Sequence, residues 1–169
     1  INGPDADDIP TTIANIKSAL LDPAAPRNYQ DEITISSGEM PNGGGDDYTT
    51  GVFGHFLVDD GDDVPGETIE LTFTIRSDDG SALHIFGDSF AEKGGNASGT
   101  LVDIDGDVML VGDFFTGNTD ILGLIELTEG VHSFEGYHFE GGGGDYFDIW
   151  FAAGNQLAGF NSNFYPLSI

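Results

Sequence analysis

Phe73-Thr74-Ile75-Arg76-Ser77-Asp78-Asp79-Gly80-Ser81-Ala82-Leu83-His84-Ile85-Phe86-Gly87 is the stretch whose reading decides the fold. Residues 67–76 read as a strand, because Ile69, Leu71, Phe73 and Ile75 alternate with polar or charged residues and mark one buried face. Residues 82–86 read as the returning strand. Successive strand side chains point to opposite faces, so Asp78 and Asp79 can serve one site only if the backbone between them leaves regular strand geometry. Two readings stand side by side. Asp-Gly followed by Ser is hairpin-turn chemistry, and a neighbouring pair of carboxylates suits a hard divalent cation such as calcium, which takes about six to eight oxygen ligands in irregular geometry. A tight turn can also present the ligands.

Outward from this stretch, nearly everything reads as β. Candidate strands are residues 32–36, 48–58, 67–76, 82–86, 100–105, 108–111, 121–127, 131–139, 146–152 and 164–168, punctuated by Gly, Asn and Asp clusters. Short strands with turn signals this frequent predict an all-β fold, an antiparallel β-sandwich. The exception is residues 10–21, where Thr11 or Thr12 caps a short helix, Ile13, Ile16 and Leu20 share a face, and Asp22-Pro23 stops it. The expected organisation is an N-terminal segment, residues 1–30, whose short helix packs on the domain, followed by a β-sandwich domain over residues 31–169. Four consecutive glycines, Gly141 to Gly144, are entropically costly to order. They suit either a place where backbone carbonyls approach an ion or a flexible hairpin tip.

Composition narrows the function classes. The 169 residues carry 30 Asp plus Glu against 4 Lys plus Arg, a formal charge of −26. Self-repulsion at that density opposes the compact state unless cations screen or ligate it. No nucleic-acid partner is expected, because phosphate binding requires clustered Lys and Arg, and anionic membranes are disfavoured for the same reason. With 0 Cys there is no disulfide, thiolate metal site or cysteine nucleophile. An extracellular domain without disulfides needs another staple, which bound calcium can supply; the acidic composition, 26 glycines and scarcity of Lys suggest a secreted bacterial protein. No apolar run approaches a membrane span, and Ile1 is not a natural start, so the chain reads as a processed or excised piece.

Three elements together resemble the protective-antigen-fourteen domain family, a β-sandwich module of bacterial toxins, glycosidases, fungal flocculins and bacterial adhesins. They are the opening stretch, the segment Leu127-Thr128-Glu129-Gly130-Val131-His132-Ser133-Phe134, and Tyr137-His138-Phe139-Glu140 with the glycine loop and Phe147-Asp148-Ile149-Trp150. The resemblance covers roughly residues 31–168. In lectin members the paired aspartates are joined by a cis peptide and both ligate one calcium ion, which holds vicinal sugar hydroxyls. Carried over, the resemblance implies a cis bond between Asp78 and Asp79, with both side chains serving ion and sugar. The rest of the sphere is expected from the second loop, where lectin members supply an Asn or Gln. This loop has neither amide, so Glu140 or Asp145 takes that role with glycine carbonyls such as those of Gly141 and Gly143. Tyr146 or His84 is the expected aromatic neighbour of a bound sugar.

Other constellations read as structure. Residues 102–107 place Asp103, Asp105 and Asp107 at alternate positions but lack the Gly and Glu of a calcium loop, and read as a strand turn. Asp59, Asp60, Asp62 and Asp63 read as a solvated acidic turn. No histidine has zinc-site spacing, flat Thr arrays suited to ice are absent, and no catalytic motif occurs. Adjacent Asp residues engaged with a metal would not be free as acid and nucleophile, so no enzymatic activity is expected. The expectation is a calcium-dependent lectin module of a secreted adhesin, with a role in biofilm or cell adhesion. It would act at the cell surface on extracellular glycans, as a monomeric domain of a larger protein. The alternative is a calcium-rigidified spacer domain without sugar binding.

Overall fold

A computed structural model describes residues 46, 48–61, 66–97, 99–112 and 117–167. The expected helix at 10–21, the strand at 32–36 and the packing of residues 1–30 on the domain lie outside them. Ten strands form: β1 (Tyr48–Val58), β2 (Thr68–Asp78), β3 (Ser81–Ile85), β4 (Glu92–Gly95), β5 (Thr100–Ile104), β6 (Asp107–Gly112), β7 (Thr119–Thr128), β8 (Gly130–Glu140), β9 (Tyr146–Ala153) and β10 (Tyr165–Pro166). They make two five-stranded antiparallel sheets, in the orders β1-β8-β3-β6-β5 and β10-β9-β2-β7-β4. No helix occurs among the described residues.

The sheets stack through their apolar faces, as a β-sandwich does. Val52, Leu83, Ile85, Leu110 and Phe134 of the first sheet share one core cluster with Leu71, Phe73, Ile75, Ile125, Leu127, Phe147 and Ile149 of the second. Phe90, from the connection between β3 and β4, is 2% exposed and belongs to the same cluster. The alternation in β2 predicted one buried face, yet Leu71, Thr72, Phe73, Thr74 and Ile75 are all buried. β2 lies between β7 and β9, and its other face is roofed by the chain after β9. There the Thr72 hydroxyl donates to the Gly154 carbonyl at 2.7 Å and accepts from the Gln156 amide at 2.9 Å. Leu122, Ala152 and Phe164, with Trp150, Leu157 and Phe160 against them, form a small second core under that roof.

β4 was not expected from sequence, because Glu92-Lys93-Gly94-Gly95 has little strand preference. It becomes a strand by pairing with the β7 edge from Glu92↔Leu124 to Gly95↔Ile121. Conversely, the expected strand at 164–168 is the two-residue β10. The β5–β6 connection is a tight hairpin, with Asp105 and Gly106 at φ of 56° and 102°. That assigns the acidic stretch 102–107 to a turn.

Candidate metal centre

β2 ends at Asp78 and β3 begins at Ser81, so the chain passes from one sheet to the other here through only two residues, Asp79 and Gly80. The Asp78–Asp79 peptide bond is cis. β8 runs beside β3, with Ser81 opposite His138, and carries its last residue, Glu140, past the connection. Asp78, Asp79 and Glu140 each offer a carboxylate oxygen, and these atoms lie within 4.8 Å of one another. This group could hold a metal ion.

The surroundings hold the three carboxylates without neutralising them. Gly141 donates its amide to Asp79 Oδ2 at 3.0 Å, and Gly142 donates to Glu140 Oε1 at 2.7 Å. Glu140 is 0% exposed, and its Oε2 is buried with no hydrogen-bond partner. A buried carboxylate oxygen left in that state is costly, and a cation among the three carboxylates would relieve it. Asp145 accepts a hydrogen bond from the Tyr48 hydroxyl, while the Gly143 amide donates to Asp46 Oδ1 at 3.3 Å. His138 donates from Nε2 to the Asp78 carbonyl at 2.8 Å and leaves Nδ1 buried without a partner. Its ring stacks on Phe147 with centroids 5.1 Å apart. On the core side, the Ser77 and Ser81 hydroxyls meet at 2.7 Å.

Electrostatics agree with the geometry. Burial, then the Asp79 and Asp145 charges, raise the Asp78 carboxyl above its ordinary range, partly offset by the Asn118 backbone amide. Burial, reinforced by the charges of Asp79, Asp78 and Asp145, pushes Glu140 up to about 7 against the opposing Gly142 hydrogen bond. Desolvation lowers His138, so this ring is favoured in the neutral form. Like charges that raise one another in a partly desolvated cluster are the environment a divalent cation reverses.

The glycines have a steric reason. A Cβ on Gly144 would lie 2.4 Å from Asp78 Oδ2, and Gly142 and Gly143 adopt φ of 137° and 115°. Loop side chains are therefore missing where the carboxylates approach the surface.

Of the residues expected from sequence, Asp78, Asp79 and Glu140 come together, and Asp145 is an electrostatic neighbour of Asp78 and Glu140. Gly141 and Gly143 take part through amides given to Asp79 and Asp46. His84 is not brought to the group. It lies opposite Glu135, three residues along β3 from Ser81, about 10 Å away at the usual strand rise. There it contacts Glu135 Oε1 and Asp107 Oδ2, each at 3.0 Å. Tyr146 pairs with Asp78 in register, but its hydroxyl accepts from Arg76 Nη1 at 2.7 Å and donates to Asp148. Asp46, Tyr48, Asn118 and His138 were missed. The register Tyr48↔Glu140 brings the first two to the loop, and spacing along the chain does not carry that register. A second acidic group, Asp59 and Asp60 after β1 with Glu129 between β7 and β8, is mostly exposed.

No family model, curated protein or solved structure matches the chain.

Proposed function

We propose that this chain is a calcium-dependent carbohydrate-binding module of a secreted bacterial adhesin. One observation carries the reading. Asp78, Asp79 and Glu140 converge at one end of the β-sandwich, beside a side-chain-free glycine loop, with Glu140 Oε2 buried and unpaired. Three carboxylates are hard oxygen donors, the type calcium prefers. A calcium ion held there would offer open coordination positions to vicinal sugar hydroxyls, with nearby carboxylate oxygens as charge-assisted acceptors. The resemblance of the Ser77 to Ser81 turn and its flanking strands to lectin members of the protective-antigen-fourteen family supports the same reading. Because His84 and Tyr146 are committed elsewhere, selectivity would rest on the fit of a diol to the ion and on the backbone of Gly141 to Gly144.

A second reading, a calcium-rigidified spacer domain, draws on the loop itself. Its Gly141, Gly142 and Gly143 amides are already bonded to carboxylates, and it has no Asn or Gln to meet a sugar. Titration with a panel of monosaccharides, in calcium and in chelator, separates the two. Binding that requires calcium and disappears in Asp79→Ala supports the lectin. Stabilisation by calcium with no response to any sugar supports the spacer. Sugar binding that survives both chelation and Asp79→Ala contradicts both.

A further inference from the structure

The first sheet is apolar on both faces. Its strands alternate, so that Val52, Leu83, Leu110 and Phe134 reach the main core while Ala82, Met109, Val111, Tyr137 and Phe139 point the other way and form a core cluster of their own. Val102 and Ile104 of β5 pack against that cluster. An antiparallel sheet commonly leaves the face turned away from the core to water. Here its centre is dry, with Met109 and Phe139 0% exposed. Even Thr49, on β1 and opposite Phe139, is 1% exposed.

Exposure rises along the same face. On β1 it climbs from Thr49 to Leu57, which is 65% exposed, and on β8 from Phe139 to Val131, which is 70% exposed. The dry half is therefore the one at the carboxylate end of the sandwich. Side chains reach such burial only under other atoms, so a further layer covers that half. No strand among the described residues supplies it, since all ten belong to the two sheets, and the long connection after β9 roofs the other sheet. A cover reaching from β8 to β5 has to span about 14 Å. Residues 62–65 and 113–116 are short and carry the chain between the sheets, from β1 to β2 and from β6 to β7. Outside the described residues, 1–45 is the one stretch long enough. It joins the described chain at the dry end, where Tyr48 opens β1 opposite Glu140.

We propose that this face is the docking surface for residues 10–21 of the same chain, which cross it as a third layer and turn Ile13, Ile16 and Leu20 onto Ala82, Met109, Val111, Tyr137 and Phe139. Those three apolar residues recur at helical spacing, and a helix over 10–21 would run about 18 Å, enough to cross the dry strands. The occupant is the chain itself and not a second copy, because the burial of Met109, Phe139 and Thr49 is already complete within one chain. Phe53, Leu57 and Val131, toward the opposite end, stay in solvent beyond the layer. From the layer the chain continues to Asp46, which accepts the Gly143 amide, and Tyr48, which donates its hydroxyl to Asp145. The third layer and the glycine loop are thus neighbours in the chain path, although the layer stands whether or not the carboxylate group holds a cation.

The test is spin-label NMR on the full chain. The sequence has 0 Cys, so Ser18→Cys gives a single attachment point, on the side of a helix over 10–21 away from Ile13, Ile16 and Leu20. The expected result is that the methyl signals of Ala82, Met109 and Val111 lose most of their intensity and regain it when the label is reduced. Leu122 and Ala152, on the outer face of the other sheet, should keep theirs. Ile16→Asp should free the face, so that peroxide oxidises Met109 about tenfold faster or more while the β2 and β7 amides stay protected from exchange. If Ile16→Asp does not fold, Ile16→Ser serves the same purpose. Full intensity at Ala82, Met109 and Val111, or losses at Leu122 and Ala152 instead, would overturn the third layer. So would losses seen only when a spin-labelled chain is mixed with an isotope-labelled one, which would mean a second copy, and so would an unchanged rate of Met109 oxidation in the folded variant.

Discussion

Gly144 gives the carboxylate group its most direct single-residue test. Its missing Cβ would sit 2.4 Å from Asp78 Oδ2, so Gly144→Ala has to displace either the loop or the Asp78 carboxylate. Calorimetric titration should show calcium affinity falling by about tenfold or more, the equivalent of ~1.4 kcal/mol, with little change in the melting of the cation-free protein. Glu140 sets a pH dependence. Its carboxyl is pushed up to about 7 in the fold, from an ordinary 4.5, so the folded protein without cations binds a proton more tightly than the unfolded chain. That contribution to stability is full below about 4.5 and is lost as pH rises through about 7. A calcium ion held by this group would compete with the same proton, so the proposed site predicts an affinity that weakens as pH falls below that value. Denaturant melts at several pH values, repeated on Glu140→Gln, check both; an unchanged slope in the variant would count against this role. The sequence pointed to Asp78 and Asp79 as neighbouring carboxylates beside a turn, and to Glu140 or Asp145 through the family resemblance; the fold groups Asp78, Asp79 and Glu140. The sequence did not show that His84 is spent on Glu135 and Asp107, since that depends on which strand lies next to which.

Strands were most legible where hydrophobic alternation is regular. Residues 48–58 were expected as a strand and β1 has those bounds, and the expected strands that became β2, β7, β8 and β9 differ from the observed ones by a few residues at their ends. β4 was illegible because a Glu-Lys-Gly-Gly segment becomes a strand only through the edge of β7 it meets. The second buried face of β2 was hidden for a related reason. Thr72 and Thr74 look solvent-directed in sequence, yet the chain after β9 folds over them. Thr72→Val keeps the shape of the side chain but removes both the bond to Gly154 and the one from Gln156. The expected cost is about 1–3 kcal/mol, with increased exchange of the Gln156 amide as the sign that the roof has lifted. A neutral substitution would mean the roof is held by Phe160 and Phe164 packing alone.

For the whole molecule, the formal charge of −26 sets a self-repulsion that works against the compact state. Arg76, one of the 4 cationic residues, is already paired with Asp120 at 2.7 Å and packed over Phe160. With so few cationic side chains in the sequence, solvent ions and any cation held by the carboxylate group can ease the acidic repulsion. Raising sodium chloride should stabilise the cation-free protein by screening. Calcium should stabilise it further at concentrations far too low to screen, by linkage to a specific site. Thermal melts in sodium chloride and in calcium distinguish the two, since a calcium effect no larger than that of equal ionic strength would signify screening only. The most direct test of the metal centre is calorimetric titration of calcium into chelator-treated protein and into its Asp79→Ala variant. A saturable site in the unaltered chain that vanishes in the variant is the predicted result. No saturable binding, or binding that the variant retains undiminished, would contradict a metal centre at Asp78, Asp79 and Glu140.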